Sequence, residues 1–294
     1  MKPLVSVLMA SYNAEAWIAD SIESVLGQTY TNLELVIADD ASSDSTRELV
    51  RGYADERVRL LEFDERAGPT RRRNDALDAS RGELLAWLDH DDLWLPEKLD
   101  EQAAVLEQRP EVGVVYSGYE AFDSATGETL PWRDVSLESE GDVLADLFVK
   151  GCFIASLTAV FRREGLDRRG VGFHETDFSF GDDYYLWLVL SLDWQVARVD
   201  KVLARYRRHE RNESSRLAGT NYHLMRIRLL REFLRDFPEA RGRLGADVGA
   251  GLAAHYLDAA SFEFQRGNSL RGRRLVLRAL VASPGRTLAA IRQG

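Results

Sequence analysis

The sequence predicts an α/β fold built on a mostly parallel sheet, followed by a helical C-terminal region. Short apolar runs alternate with amphipathic helical segments over roughly residues 1–120, which is typical of parallel strands with helices on both faces. From residue 221 onward, apolar residues recur at helical spacing. The chain has 294 residues, of which 45% are hydrophobic, so it can form one large domain or a catalytic domain with an appendage.

Five strands are predicted in the first 120 residues, each a short apolar run bounded by polar residues. They are residues 4–10, 33–38, 58–63, 84–88 and 112–116. Helices are predicted between them, and Asn13 is suited to cap the first of these helices. Further along the chain, residues 153–161 and 195–206 are predicted strands, and residues 182–192 are a predicted helix.

Polar clusters stand where three of the predicted strands end. Residues 12–13 follow the first strand, residues 39–40 follow the second, and residues 89–92 follow the fourth. Ligands of open parallel sheets bind at the carboxyl ends of the strands. We therefore expect these three clusters to line one site.

The acidic cluster after the fourth strand contains Asp89, Asp91 and Asp92. Carboxylates packed this closely repel one another unless some are protonated or a cation lies among them. Mg²⁺ in proteins is usually held by one or two carboxylates together with substrate phosphates. The cluster therefore favours a divalent metal with a nucleotide diphosphate over the alternative that these aspartates only cap the helix near Pro96.

Four other groups have both a structural and a chemical interpretation. Asp40 can bind a base or ribose hydroxyls, or cap the next helix. One arginine of residues 71–73 can face a ligand, but the residues alone do not indicate which. The pair Asp182–Asp183 can complement the dipole of its helix, which is favoured narrowly, or supply a general base. His209 can bind a metal, although a lone histidine in a basic loop is more often a surface residue.

Composition and the missing motifs exclude several classes of protein. The net charge of −10 argues against non-specific nucleic-acid binding. The single cysteine, Cys152, cannot form an intrachain disulfide and favours a reducing compartment. There is no signal segment and no apolar run long enough to span a bilayer, so we expect a cytoplasmic protein. Motifs such as Walker A, G-x-G-x-x-G, H-E-x-x-H, C-x-x-C and G-x-S-x-G are absent.

The last 31 residues differ in charge from the rest of the chain. Residues 264–294 contain seven arginines and no acidic residue, with apolar residues between the charges. Such a segment can rest on an anionic membrane surface. The alternative, slightly favoured on sequence, is a packed helical appendage with a solvated basic face.

Taken together, these segments resemble the family 2 inverting glycosyltransferases, which have the GT-A nucleotide-binding fold. The resemblance covers about residues 4–215, and the motifs occur in the family's order. The matching segments are the "YN" of residues 12–13, the "S-x-L-x-Q-T-Y" helix end of residues 21–30, the "DDGSxD" turn of residues 39–44, the "RN" of residues 73–74, and the "D-x-D-D…P" of residues 89–96.

The resemblance implies roles for individual residues. The implied nucleotide-sugar-binding residues are Ala10, Tyr12, Asp40, Arg73 and Asp91. The implied ligands of Mn²⁺ or Mg²⁺ are Asp89, Asp91, Asp92 and His209. His209 ends residues 206–209, which resemble a "Y-R-x-H" segment. Residues 181–183 are similar to the family's "G-E-D" segment, which implies Asp183 as the general base with Asp182 in reserve.

Three departures from the family pattern affect these expectations. Ala41 replaces the usual glycine of the turn, so we expect a negative φ there. Asp182 replaces the usual glutamate, which keeps the charge but shortens its reach. The "Q-x-x-R-W" motif of processive members is absent, which favours the transfer of one sugar per encounter.

The implied reaction is an inverting, metal-dependent transfer of a sugar from a nucleotide-diphosphate sugar, expected to be a UDP-sugar. The implied acceptor is a hydroxyl of a saccharide or lipid-linked molecule, in cell-surface polysaccharide or glycolipid assembly. We expect the enzyme in the cytoplasm, or at the inner face of the cell membrane through residues 264–294.

Residues 1–216 form the expected GT-A catalytic domain, with a nucleotide-binding half (1–120) and an acceptor half (121–216). Residues 217–294 form the expected helical region. Two alternatives remain, a nucleotidyltransferase and a catalytically inactive sugar-nucleotide-binding module. The former normally has a glycine-rich loop soon after the first strand, where this chain has Ser11-Tyr12-Asn13-Ala14-Glu15.

Overall fold

The computed structural model divides into two compact units. It describes residues 2–131, 139–175, 181–212 and 221–293. The first unit, called here the sheet unit, comprises Met1–Asp142 and Phe153–His209. The second, called here the helical unit, comprises Val143–Cys152 and Glu210–Gly294. The functional division at residue 216 stays a prediction.

The described residues of the sheet unit form one mixed sheet of eight strands. The strands are β1 (Val5–Ser11), β2 (Leu33–Asp40), β3 (Val58–Phe63), β4 (Leu84–Trp87), β5 (Leu93–Trp94), β6 (Val112–Asp123), β7 (Val160–Arg162) and β8 (Gln195–Arg208). Their order across the sheet is β3-β2-β1-β4-β7-β6-β8-β5. The pairs β1–β2, β2–β3, β1–β4 and β6–β8 are parallel, whereas β4–β7, β6–β7 and β5–β8 are antiparallel.

Helices connect these strands. In the sheet unit they are α1 (Ile18–Leu26), α2 (Thr46–Arg51), α3 (Pro69–Ala79), α4 (Lys98–Gln108), α6 (Arg163–Arg169) and α7 (Asp182–Leu190), and α5 (Leu144–Lys150) belongs to the helical unit. The mostly parallel sheet and the helical C-terminal region predicted from the sequence are confirmed.

The parallel half of the sheet brings the polar clusters to one edge. All residues of β1 and β2 are buried, because helices cover both faces of these central strands. In the register, Ser11 lies beside Asp39, and Leu8 lies beside Trp87. The loops after β1, β2 and β4 therefore leave the sheet side by side, as the sequence predicts.

Two local predictions from the sequence are wrong. The segment 153–161 is not one strand, because a 3₁₀ turn at Ser156–Thr158 precedes the short strand β7. Asn13 does not cap α1, whose N-cap is Trp17. Instead Asn13 has a φ of 47°, and its Oδ1 accepts a hydrogen bond of 2.9 Å from the amide of Ser43. The side chain thus ties the loop after β1 to the loop after β2.

The expectation of a negative φ at Ala41 is also wrong. Its φ is 61°, in the left-handed region that L-residues other than glycine seldom adopt. The turn is held because the Asp39 carboxylate accepts hydrogen bonds from the Ser42 amide at 2.9 Å and from Arg47 Nε at 2.6 Å. Tertiary contacts here outweigh the local conformational preference of alanine.

Two glycines shape the loops that carry charged residues. Gly68, with a φ of 92°, immediately precedes Pro69 at the start of α3. Gly181, with a φ of 86°, precedes α7 and directs the chain so that Asp182 and Asp183 open that helix. A residue with a Cβ is disfavoured at such φ values, so the glycines suit these two helix starts.

The helical unit has its own apolar core. Its remaining helices are α8 (Tyr222–Asp236), α9 (Ala240–Leu244), α10 (Asp247–Gln265), α11 (Ser269–Ala282) and α12 (Pro284–Gln293). Ile227 of α8, Tyr256 of α10 and Leu275 of α11 are among the buried residues of this core. Within the described ranges, no helix combines the length and apolarity needed to cross a bilayer.

The left-handed turn at Ala41 leads to a prediction about stability. Replacing Ala41 by glycine removes the Cβ that makes this φ unfavourable. We expect the free energy of unfolding to rise by about 0.5–1 kcal/mol, the strain relieved less the extra freedom of the unfolded chain. Urea denaturation of the two proteins measures the change. The matched control is Ala54→Gly, at a loop alanine without a positive φ, which should lower stability.

Candidate active site

Asp39 and Asp40 lie at the carboxyl end of β2 and are both buried. Asp39 accepts hydrogen bonds from Ser11, Ser42 and Arg47. Burial alone would raise the pKa of Asp39, but the hydrogen bonds from Ser42 and Arg47 outweigh it and lower the pKa. Asp39 therefore stays ionised and holds together the loops after β1 and β2.

Asp40 holds the loop that precedes α3. Its two carboxylate oxygens accept hydrogen bonds from the amides of Ala67 at 2.7 Å and Gly68 at 3.0 Å. Arg72 Nε donates to Asp40 Oδ1 at 2.9 Å, and both side chains of this ion pair are almost fully buried. A nucleobase that contacts Asp40 would therefore contact a carboxylate that already accepts three hydrogen bonds.

Tyr12 and Ala10 lie near the same strand ends. The guanidinium carbon of Arg66 lies 3.7 Å from the centroid of the Tyr12 ring, and Arg66 Nε is 3.7 Å from Asp40 Oδ2. The carbonyl oxygen of Ala10 is 3.0 Å from His90 Nδ1. The structure thus places Ala10, Tyr12 and Asp40 at one edge of the sheet. The family resemblance predicts that the nucleotide-sugar donor binds there.

Arg73 joins two of the predicted acidic clusters. Its Nη1 donates to Asp182 Oδ2 at 2.8 Å, and its Nη2 donates to Asp89 Oδ1 at 2.9 Å. The guanidinium lies 3.7 Å over the Trp87 ring, and Trp87 Nε1 also donates to Asp89 Oδ1. Thr70 adds a hydrogen bond to Asp182. Of residues 71–73, Arg73 is the one that reaches both acidic clusters.

Asp91 meets His209, which comes from the end of β8. Asp91 Oδ2 lies 2.9 Å from His209 Nε2, and both side chains are mostly buried. Burial would raise the pKa of Asp91, but the hydrogen bond with His209 and the nearby histidines together lower it. The His209 ring stacks on Trp17 with a centroid distance of 3.8 Å. Trp17 therefore fixes the plane of the imidazole.

Asp92 has a different environment from its two neighbours. It is 2% exposed, and its Oδ1 accepts a hydrogen bond of 2.9 Å from the amide of Arg207. Burial and the charges of Asp91 and Asp89 raise the pKa of Asp92 well above its usual value. Arg207 also donates to the carbonyl of Asp91 and to the carboxylate of Asp20. Asp92 thus holds the end of β8 against the acidic loop.

Asp183 differs from Asp182 in its partners. Burial of its carboxyl group and the charge of Asp182 raise the pKa of Asp183 to about 7. Among the described residues, Asp183 accepts a hydrogen bond from the amide of Tyr184 and forms no ion pair. Asp182, by contrast, is held by Arg73 and Thr70. The carboxylate suited to exchange a proton near neutral pH is therefore that of Asp183.

The site can hold a divalent cation with few protein ligands. In the described part of the chain, no three His, Cys, Asp or Glu side chains converge as in a site made entirely by protein. Asp91 Oδ2 and His209 Nε2, however, point at one another across 2.9 Å. A carboxylate and an imidazole suit Mn²⁺ or Mg²⁺ when phosphates and water complete the coordination. The donor set fits such an ion, and the roles of Asp89, Asp91, Asp92 and His209 as ligands stay predictions.

Sequence reasoning did not identify three of the residues that shape this site. They are Trp17, Trp87 and Arg207. Trp17 directly precedes the apolar positions of α1, and Trp87 ends an apolar strand, so both have the pattern of ordinary core residues. Their partners, His209 and Arg73, lie far away or on another element, so no local spacing reveals the contacts. Only the segment around Arg207 gave a signal, through its resemblance to "Y-R-x-H".

The Arg73 bridge leads to a prediction about stability. Replacing Arg73 by glutamine leaves the Asp182 carboxylate buried without its ion pair and weakens the contact with Asp89. Breaking a buried pair in this way costs about 3 kcal/mol of unfolding free energy. Urea denaturation measures the loss. Arg71→Gln is the control, since the Arg71 side chain is 55% exposed and its surface pairs should contribute less than about 1 kcal/mol. Equal losses in both variants would contradict the bridge.

Comparison with known proteins identifies the family. The model of Glycosyl transferase family 2 matches residues 6–170, more than half of the chain. A curated relative from Escherichia coli is 34% identical over 214 residues, covering 72% of this chain and 80% of its own length. It is named UDP-Glc:alpha-D-GlcNAc-diphosphoundecaprenol beta-1,3-glucosyltransferase WfgD. The putative teichuronic acid biosynthesis glycosyltransferase TuaG of Bacillus subtilis is 33% identical over 165 residues, covering 55% of this chain and 64% of its own.

Solved structures show the same fold. TarS 1–349 of S. aureus in complex with UDP-GlcNAc aligns with a TM-score of 0.61 and 18% identity, covering 96% of this chain and 91% of its own. The mannosyltransferase PcManGT of Pyrobaculum calidifontis, in complex with GDP-Man and Mn²⁺, aligns with a TM-score of 0.60 and 22% identity, covering 100% and 80%. The expected GT-A fold is confirmed. The chain belongs to Glycosyl transferase family 2 and is a glycosyltransferase.

Proposed function

We propose that this enzyme transfers a sugar from a UDP-sugar to a hydroxyl of a lipid-linked saccharide, with inversion, in cell-surface glycan assembly. A nucleotide-diphosphate sugar as donor is supported by relatives and structural neighbours whose names include UDP-Glc, UDP-GlcNAc and GDP-Man, and the first two of these favour UDP as its nucleotide. The acceptor class is supported by the E. coli relative, whose name includes a GlcNAc-diphosphoundecaprenol. An inner-face membrane location follows from such an acceptor.

One observation carries the mechanistic part of the proposal. Asp183 has a pKa of about 7 and lies beside Asp182, which Arg73 links to Asp89. A group that is half ionised near neutral pH is well matched to accept a proton during the reaction and release it afterwards. Asp39, Asp40, Asp89 and Asp182, by contrast, each form an ion pair with an arginine.

The proposed step is a single in-line displacement. Asp183 accepts the proton of the acceptor hydroxyl while the acceptor oxygen forms a bond to the anomeric carbon. The bond from the anomeric carbon to the diphosphate oxygen breaks on the opposite side, and its electron pair leaves with the diphosphate. Attack from the face opposite to the leaving group inverts the anomeric configuration.

The remaining site residues have supporting roles in the proposal. Tyr12 and Asp40 bind the nucleobase side of the donor, and Arg73 orients Asp182 and Asp89 at its sugar side. Asp91 and His209 hold the divalent cation. When bound, the cation neutralises charge that grows on the diphosphate leaving group.

A catalytically inactive sugar-nucleotide-binding module is the remaining alternative from the sequence. Binding alone requires no proton acceptor. An inactive module therefore does not account for the Asp183 carboxylate, whose pKa lies near 7. Slow hydrolysis of the donor in the absence of acceptor separates the two, because a binding module releases the donor intact.

The role of Asp183 leads to a prediction about activity and pH. Asp183→Asn removes the proton acceptor but keeps the shape of the side chain, so turnover should fall about 10²–10⁴-fold while UDP still binds. The base works only when ionised. In the wild type, kcat/KM should therefore fall tenfold per unit as the pH drops below about 7. Steady-state transfer assays across pH, with UDP titration by calorimetry, measure both effects.

The control for this prediction is Asp193→Asn, which removes the same charge from a surface pair with Arg169. It should leave turnover and the acid limb of the pH profile unchanged. An Asp183→Asn enzyme with wild-type turnover would exclude this residue as the base.

The cation leads to a separate prediction. EDTA should abolish transfer, and added Mn²⁺ or Mg²⁺ should restore it, because the diphosphate loses its neutralising charge. In His209→Gln, the Mn²⁺ concentration that gives half-maximal activity should rise, since one ligand is weakened. Full activity in EDTA would contradict the metal requirement.

A further inference from the structure

Helix α11 of the helical unit has two apolar faces, although only one of them is packed. Leu275, Ala279 and Gly272 are buried in the unit. Leu270, Leu277 and Val281 are exposed by 77%, 61% and 86%. Isolated exposed leucines are common on soluble proteins, but several in one stripe mark an interaction site.

The exposed apolar residues form one line along the helix. With about 100° of rotation per residue, Leu277 and Val281 lie within about 20° of Leu270 around the helix axis. Ala279 lies about 180° away from Leu270, so the stripe faces directly away from the packed side. The stripe of Leu270, Leu277 and Val281 is called here the outer face of α11.

Arginines line both sides of the outer face. By the same geometry, Arg274 and Arg278 lie about 40° and 80° to one side, and Arg273 lies about 60° to the other. All three are exposed, and within the described ranges none of them forms an ion pair. Arg271, farther round the helix, lies 3.5 Å from Glu263. The outer face is therefore apolar along its centre and cationic along both borders.

We propose that the outer face of α11 docks on an anionic membrane surface. A helix lying in the interface places its apolar side chains among the acyl chains, while arginines on both borders reach the phosphates of the headgroups. The three bordering arginines form no ion pair within the described ranges, and residues 264–294 contain no acidic residue. A positively charged segment of this kind matches a negatively charged surface. The arrangement matches both parts of an anionic lipid interface, the apolar layer and the phosphate layer.

A second copy of the chain is a poorer partner for this face. Two copies meeting across the stripe would bring their bordering arginines together, and like charges at close range repel. The neighbouring helix α12 likewise exposes both an apolar and a cationic side chain, since Leu288 is 49% exposed and Arg286 is exposed. The structure thus assigns to the membrane the segment for which sequence alone slightly favoured an ordinary packed appendage.

The residues of the docking proposal are not among those proposed for the transfer reaction, although its biological setting rests on the proposed function. The docking proposal deepens the proposed acceptor class, since a lipid-linked saccharide lies at such a surface. Its test, however, needs neither donor nor acceptor, so failure to bind vesicles and failure to transfer sugar are separate results.

The experiment is vesicle co-sedimentation of the full chain. The two kinds of vesicle are phosphatidylcholine mixed with phosphatidylglycerol and phosphatidylcholine alone. Binding should occur on the mixed vesicles and weaken as salt is raised. Each arginine near the surface contributes about fivefold in affinity, so Arg273→Gln/Arg274→Gln/Arg278→Gln should lose about a hundredfold. Leu270→Glu/Leu277→Glu/Val281→Glu should abolish binding.

Matched controls separate the face from general charge. Arg51→Gln/Arg109→Gln/Arg168→Gln removes the same total charge from exposed pairs in the sheet unit and should bind as the wild type does. Leu49→Glu, at a 39% exposed leucine of the sheet unit, should also bind normally. All variants should fold, because every substituted side chain is exposed. Thermal unfolding of each variant checks this.

Three outcomes would overturn the proposal. One is no binding to mixed vesicles, and another is equal binding to both kinds of vesicle. The third is a dimer in gel filtration that the α11 variants dissociate, without vesicle binding, which would assign the face to a second copy.

Discussion

The arrangement of the site depends on the two ion pairs that the Arg73 guanidinium forms. The guanidinium bridges Asp182 on α7 and Asp89 after β4, and it rests on the Trp87 ring. Without a cation between them, two carboxylates and the neighbouring Asp183 would repel one another in a poorly solvated place. The bridge lets acidic residues from distant parts of the sequence stay close, while the Asp183 carboxylate forms no ion pair with any residue that the structure describes.

The acidic residues at the sheet edge divide into those that hold the loops and those that remain for chemistry. Asp39, Asp40 and Asp92 are buried, and each accepts at least one hydrogen bond from a backbone amide. A buried backbone amide needs a hydrogen-bond acceptor. Where the chain turns and regular secondary structure supplies no carbonyl oxygen, these carboxylates are the acceptors. Asp91 lies against His209, and Asp183, although it accepts one hydrogen bond from the amide of Tyr184, forms no ion pair with a described residue. The same residue type therefore serves as scaffold and as reactive group within one site, and its partners decide which.

The proposed chemistry follows from this division. Burial and the charge of Asp182 raise the pKa of Asp183, whereas at Asp91 the hydrogen bond with His209 and the nearby histidines outweigh burial and lower the pKa. One carboxyl group is thus suited to accept a proton near neutral pH, and the other is suited to remain ionised beside a cation. The helical unit adds a second kind of surface, in which apolar side chains and arginines share the outer face of α11.

The sequence by itself determined the alternation of strands and helices, the edge at which the polar clusters meet, and the family, because apolar periodicity and strand-end motifs are local properties. Tertiary structure alone decided which arginine bridges the aspartates, that Trp17 stacks on His209, and that Ala41 adopts a positive φ. These depend on residues far apart in the chain, whose contacts leave no periodic signal. The two apolar faces of α11 were likewise indistinguishable in sequence, since only packing shows which face is buried.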